Sequence, residues 1–199
     1  MVDILNDLID KWIKSDYDES FKATVGKVKI ESLDDLKRLV KDADSSWKWP
    51  PLVRAAERGQ PDQIKALLKL GANPNATSLE GVPALHQAIH VLSMIEKSRA
   101  EESSMAEDPP ILRKKKDSYL ECINKLISHS KTNLEAKWDH GRTALVTAAG
   151  RGGIEVLKML LAKSVNLEAA GNDGFTALII AAEKGYADCV EALLKGGAN

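Results

Sequence analysis

The chain has 199 residues, with 28 basic and 29 acidic side chains and a formal net charge of −1. That balance leaves no electrostatic footprint for a polyanion, so nucleic acid is not an expected partner. The hydrophobic share of 44% suffices for a buried core, and the two cysteines, Cys122 and Cys189, lie apart in apolar helical patterns. They read as reduced core thiols of a cytosolic protein rather than a disulfide or a metal pair.

Ile4, Leu5, Leu8, Ile9, Trp12 and Ile13 recur at the spacing of an amphipathic helix. Asp3, Asp7, Asp10 and Lys11 interrupt that stretch, so it is read neither as a signal peptide nor as a lipid-surface helix. It is expected to cover the open apolar end of a stack. Gly26 to Ile30 is short and ambiguous. Ser32 offers an N-cap for a helix holding Leu33, Leu36, Leu39 and Val40. Residues 1–48 are therefore expected to form a helical N-terminal cap, with Trp12, Trp47 and Trp49 sealing its junction. No run approaches the ~18 apolar residues of a membrane span.

From residue 49 a pattern recurs. Pro50 to Gly59 and Pro61 to Leu70 read as two helices, and Gly71 ends the second as a C′ residue. Gly81-Val82-Pro83-Ala84-Leu85-His86-Gln87-Ala88 opens a second unit. Its equivalent glycine, Gly141, lies 60 residues on, about 27 beyond the period of the later units. The excess falls within about 90–117 and is expected to be a mobile loop with lengthened helices on its flanks. Arg113-Lys114-Lys115-Lys116 within it reads as a solvated charge run. Gly141-Arg142-Thr143-Ala144-Leu145 and Gly174-Phe175-Thr176-Ala177-Leu178 then stand 33 residues apart. A fixed period of this length marks a two-helix repeat stacked on copies of itself.

These residues resemble the ankyrin repeat, whose pattern runs Asp-x-x-Gly-x-Thr-Pro-Leu-His-x-Ala-Ala, then Gly-His-x-Glu-x-Val-x-x-Leu-Leu, then Gly-Ala-Asp-Val-Asn. Residues 141–199 follow it closely, and residues 49–89 follow it through Ala55-Ala56, Gly59, Asp62, Ile64, Leu67-Leu68 and Gly71-Ala72. The resemblance implies an all-α solenoid with repeats at 49–75, 76–136, 137–169 and 170–199. Departures are local. The family's Pro and His are Ala144 and Val146 in the third repeat and Ala177 and Ile179 in the fourth. His86 keeps the histidine, and the resemblance implies that it ties neighbouring turns by hydrogen bonds. The hairpin aspartate is replaced by Ser78, Trp138 and Gly171.

No chemistry-bearing constellation emerges. His86, His90, His129 and His140 form no Cys/His cluster at zinc-ligand spacing. Gly150-Arg151-Gly152-Gly153 lacks the Lys-Ser/Thr of a phosphate loop. No catalytic residue, metal or cofactor is expected, and the chain is not read as an enzyme. The chain is read instead as cytoplasmic and monomeric, nuclear location being open, and the resemblance implies an interaction module that binds a protein or peptide on a concave face. By position, the partner-binding residues are Leu79 and Val82, then Trp138, Asp139, His140, Arg142 and Arg151, then Asn172, Asp173, Phe175, Ile180 and Lys184. Leu79, Val82, Trp138, Phe175 and Ile180 are expected to make an exposed apolar spine. Trp138 packing on Lys137 or the insert is the competing expectation. The array stops at Gly196-Gly197-Ala198-Asn199, with Leu193 and Leu194 uncapped. The alternative reading is therefore an N-terminal fragment of a larger protein, whose array docks on or regulates an attached catalytic or channel domain.

Overall fold

A computed structural model describes residues 33–46, 50–101 and 110–199. The expectations for residues 3–30, for Trp47 and Trp49, and for residues 102–109 lie outside the described residues. The chain divides into two compact units, residues 1–39 and 40–199. Helix α1 (Leu33–Ser46) carries surface ion pairs between Asp34 and Lys37 and between Asp35 and Arg38.

The second unit is built from four helix pairs. They are α2 (Pro51–Glu57) with α3 (Pro61–Leu70), α4 (Ala84–Glu101) with α5 (Pro110–Ser128), α6 (Ala144–Gly150) with α7 (Ile154–Leu161), and α8 (Ala177–Glu183) with α9 (Ala187–Gly196). The first members contact one another in series, α2 on α4, α4 on α6 and α6 on α8; the second members do the same. Two rows of helices result, an inner and an outer. Among the described residues extended pairing is limited to the isolated bridges Thr77–Pro83 and Trp138–Arg142. No described helix is long and apolar enough to cross a membrane.

The recurrent Gly-x-Thr start has a local cause. Thr143 and Thr176 sit in extended backbone as N-caps, and their hydroxyls accept from Val146 N and Ile179 N at 3.5 and 3.4 Å. Each satisfies one of the amides that a helix start leaves without an internal partner. The small residues that follow let the inner row pack closely, and Ala55, Ala56, Ala88, Ala148, Ala149 and Ala181 are fully buried. Leu67, Ile123, Leu126, Leu157, Leu160 and Leu193 bring the bulk from the outer row. Burying each such side chain contributes roughly 1.5–3 kcal/mol.

Neighbouring pairs are tied at two levels, the first of them at two of the three junctions. Tyr119 lies under Gly59, where an added Cβ would come within 2.8 Å of its ring, and its hydroxyl donates to Glu57 O at 2.6 Å. Tyr186 lies under Gly152 in the same way. At the turns after the outer helices a polar ladder runs along the stack. Asn133 N donates to Asn75 Oδ1 at 2.6 Å, Asn166 N to Glu135 Oε1 at 2.8 Å, and Asn199 N to Glu168 Oε1 at 2.9 Å.

The second pair departs from the others in length. Where α6 and α8 have 7 residues each, α4 has 18 and α5 has 19. Helix thus occupies residues 90–101 and 110–117, as expected of lengthened helices flanking the insert. The long pair is braced on its neighbour. Lys116 Nζ lies 3.1 Å from Glu96 and 2.8 Å from Glu155 at the start of α7. Burial lowers the Lys116 pKa, but its hydrogen bonds to Glu155 and Glu96 outweigh that, and the net shift is upward. Arg151 Nη1 donates to Ser93 Oγ at 2.9 Å, joining the end of α6 to α4.

Candidate partner-binding face

Three turns precede the inner helices: residues 78–82, 138–142 and 171–175. In the first and last, the amide of the opening residue donates to the carbonyl of the closing one, Ser78 to Val82 at 3.0 Å and Gly171 to Phe175 at 3.1 Å. Within both, the glycine amide bonds back to the opening carbonyl, Gly81 to Ser78 at 2.9 Å and Gly174 to Gly171 at 3.0 Å. The middle turn is built differently. Trp138 and Arg142 exchange both backbone bonds, at 3.0 and 2.8 Å, and Asp139 and His140 are forced to φ of 36° and 59°. A side chain rarely occupies that region, and each instance costs of order 1–3 kcal/mol. The cost is met by surrounding contacts. His140 O accepts Asn172 N at 2.7 Å, and Asp173 forms an ion pair with Arg142. The hydrogen bond from Arg142 holds the Asp173 carboxyl below its usual range.

Trp138 is positioned by the preceding repeat, including His90 at the start of the insert. Its ring meets His86 edge-on at 6.2 Å and His90 at 6.4 Å, leaving the indole half-buried. His86 is 1% exposed, and among the described residues neither ring nitrogen has a partner at hydrogen-bonding geometry. His86 still meets the backbone of Arg142 in the next turn, outside strict hydrogen-bonding geometry, and adds an aromatic contact with Trp138. Burial pushes the His86 pKa down to about 4, opposed in part by the backbone of Arg142. The imidazole stays neutral, because charging it there would forfeit its solvation.

The apolar spine is broken at two of its five positions. Leu79 is 74% exposed, and Trp138 and Phe175 are half-buried, but Val82 and Ile180 are each only 3% exposed. Val82 closes its turn against the buried Ser78, whose hydroxyl also accepts Val82 N at 3.3 Å. Ile180 turns sideways along the inner row and fills the hollow above Gly150, where an added Cβ would lie 2.8 Å from its Cδ1. Position within the repeat predicts exposure for both; the side chains pack within the stack instead. The polar candidates Asp139, His140, Asn172, Asp173 and Lys184 are exposed, while Arg142 and Arg151 are half-buried.

Two residues outside the candidate set complete this face. His90 meets the Trp138 ring edge-on; burial and the nearby Arg151 charge lower its pKa, with Asp139 opposing. Ser93 supports Arg151. Both lie within α4, in the part of it that the sequence reading assigned to an insert. Only the continued helical run through Val91, Leu92, Met94 and Ile95 signals that they belong to the inner row. The thiols take no part. Cys122 and Cys189 are buried and free, and burial pushes the Cys122 thiol up to about 12. Among the described residues no three metal-ligating side chains gather.

Comparison with known families decides the architecture's origin. Residues 52–92 match the family model described as ankyrin repeats in many copies, and residues 114–199 match that for ankyrin repeats in three copies. The chain belongs to the ankyrin-repeat family. The two matches stop and resume around the long helical hairpin of the second repeat. Ankyrin repeats are generally protein–protein interaction modules and are typically not catalytic.

Proposed function

We propose that this ankyrin array binds a protein or extended peptide along the concave face formed by its inner helices and turns. The contact is centred on Trp138 and reaches Leu79, Asp139, His140, Arg142, Arg151, Asn172, Asp173, Phe175 and Lys184. The observation that carries this reading is the middle turn. It holds a half-exposed indole on two histidines, on a backbone with two strained side-chain-bearing residues. Tryptophan and arginine are the usual anchors of such interfaces, and strain of this kind collects at binding sites. The balanced net charge supports a protein partner over nucleic acid. In this reading the array works as a monomer in the cytoplasm.

The test is capture of partners from a cell lysate, with melting temperature measured in parallel. Trp138→Ala removes the anchor but also its packing on His86 and His90, so a modest fall in melting temperature accompanies it. Leu79→Asp combined with Lys184→Glu alters only exposed side chains and leaves the melt unchanged. Loss of the same captured proteins with both variants is expected; capture undiminished by either overturns the proposal.

The alternative, docking on an attached domain, draws on a different surface. Ile179 and Leu194 in the last repeat are 46% and 55% exposed, whereas the corresponding Val146 is fully buried and Leu161 packs against Gly196. In a longer product of the same gene, hydrogen exchange in α8 and α9 would slow relative to residues 1–199 alone. Identical exchange removes this alternative.

A further inference from the structure

Two cations brace the long hairpin of the second repeat on the third, and they are provided for differently. Lys116 has two carboxylates, Glu96 and Glu155. Arg151, half-buried on the inner side, has the neutral hydroxyl of Ser93 and, among the described residues, forms no ion pair. A guanidinium carries five N–H donors in a planar fork. One is used here. None of the Arg151 nitrogens is among the buried atoms that lack partners, so the remaining donors reach solvent. The charged groups around it compensate it only in part. Asp139 is near enough to act on it through space, but its carboxylate lies 3.5 Å from His140 Nε2 and forms no ion pair with Arg151. The neighbouring Arg142 adds positive charge and already holds Asp173. His90 stands beside it, and the Trp138 ring borders His90.

We infer that the segment bound on this face places an oxyanion, a carboxylate or a phosphate ester, on the Arg151 fork, next to an apolar group on Trp138. The inference rests on the binding face proposed above and specifies its chemistry. A carboxylate or phosphate matches the fork with two parallel charge-assisted bonds, about twice as strong as neutral ones. Partial removal from water strengthens them further. Ser93 serves by pre-orienting the side chain, which lowers the ordering cost on binding.

The test selects a random peptide library displayed on phage against the intact chain, so that no partner need be chosen in advance. Peptides that bind the wild type and lose binding to Trp138→Ala define ligands of this face. These are expected to share an acidic residue at fixed spacing from an apolar one. Changing that residue to its amide should weaken binding to the wild type about tenfold or more, and to Arg151→Gln hardly at all. Arg151→Lys, which keeps the charge without the fork, should recover only part of the difference. Ser93→Ala should retain the acidic preference, which separates recognition from bracing. Phosphoserine in place of the acidic residue distinguishes the sources: tighter binding points to a phosphate ester, weaker binding to a carboxylate. Trp138-dependent peptides with no acidic preference, or a preference that persists in Arg151→Gln, overturn the inference and leave the binding face standing. Recovery of no Trp138-dependent peptide overturns both.

Discussion

The third and fourth repeats begin with one motif written twice, yet their equivalent side chains live in different surroundings. Val146 is fully buried and Ile179 is 46% exposed; Ala149 is buried and Ala182 is exposed. The cause is the neighbour. The third repeat is covered by the fourth along both helix rows, while among the described residues nothing covers the far side of the fourth. In a stacked array a residue's environment is set by the adjacent layer as much as by its own repeat. The inner row shows this from the other direction. Thr147 and Ile180 hold the same position, and Ile180 disappears into the hollow over Gly150 because a glycine in the preceding repeat leaves room for it.

The sharpest way to break this comparison is to place a charge at equivalent positions. Val146→Asp buries an unpaired carboxylate and should destabilise by several kcal/mol, at about 4 or more preventing folding, whereas Ile179→Asp should stay within about 0.5 kcal/mol of wild type. Urea denaturation of the two variants checks this. Equal losses would mean that the last repeat is covered after all.

A smaller effect distinguishes the second repeat from the third and fourth. His86 titrates near 4 in the folded chain and near 6.5 unfolded. A depressed pKa means that the unfolded state takes up the proton first. The stability held above pH 6.5 is therefore lost as pH falls towards 4, by up to about 3 kcal/mol. The urea midpoint of wild type should fall more steeply than that of His86→Leu as pH falls from 7 to 4.5, because the variant lacks this proton uptake. Parallel curves would show that His86 is not the group responsible.

The smallest expected effect concerns the polar ladder. Glu135→Ala removes the acceptor for Asn166 N and should cost about 0.5–1.5 kcal/mol, with exchange of that amide hydrogen accelerated. Glu168→Ala should act in the same way on Asn199 and nowhere else. A change spread evenly over the array would argue that the rungs act through the whole stack rather than between neighbours.

Much of the architecture is legible in the sequence because it is local. The 33-residue period, the capping threonines at 143 and 176, and the alanine pairs of the inner helices act within one repeat or between identical ones. The candidate face is legible only in outline. Position within the repeat points to Trp138, Arg142 and Phe175, and the same reasoning misjudges Val82 and Ile180. Reading the excess residues as an insert also hides His90 and Ser93, although the helix carrying them runs on without a break to Glu101.

The sequence by itself determined that this chain stacks helix pairs, since periodicity and capping are properties of a short stretch. What lies against what was decided only by the tertiary structure. Trp138 rests on histidines of the preceding repeat, and Arg151 reaches Ser93 while Lys116 takes both Glu96 and Glu155. Those pairings depend on register between layers and on the space that small residues leave. No pattern within a single repeat records either.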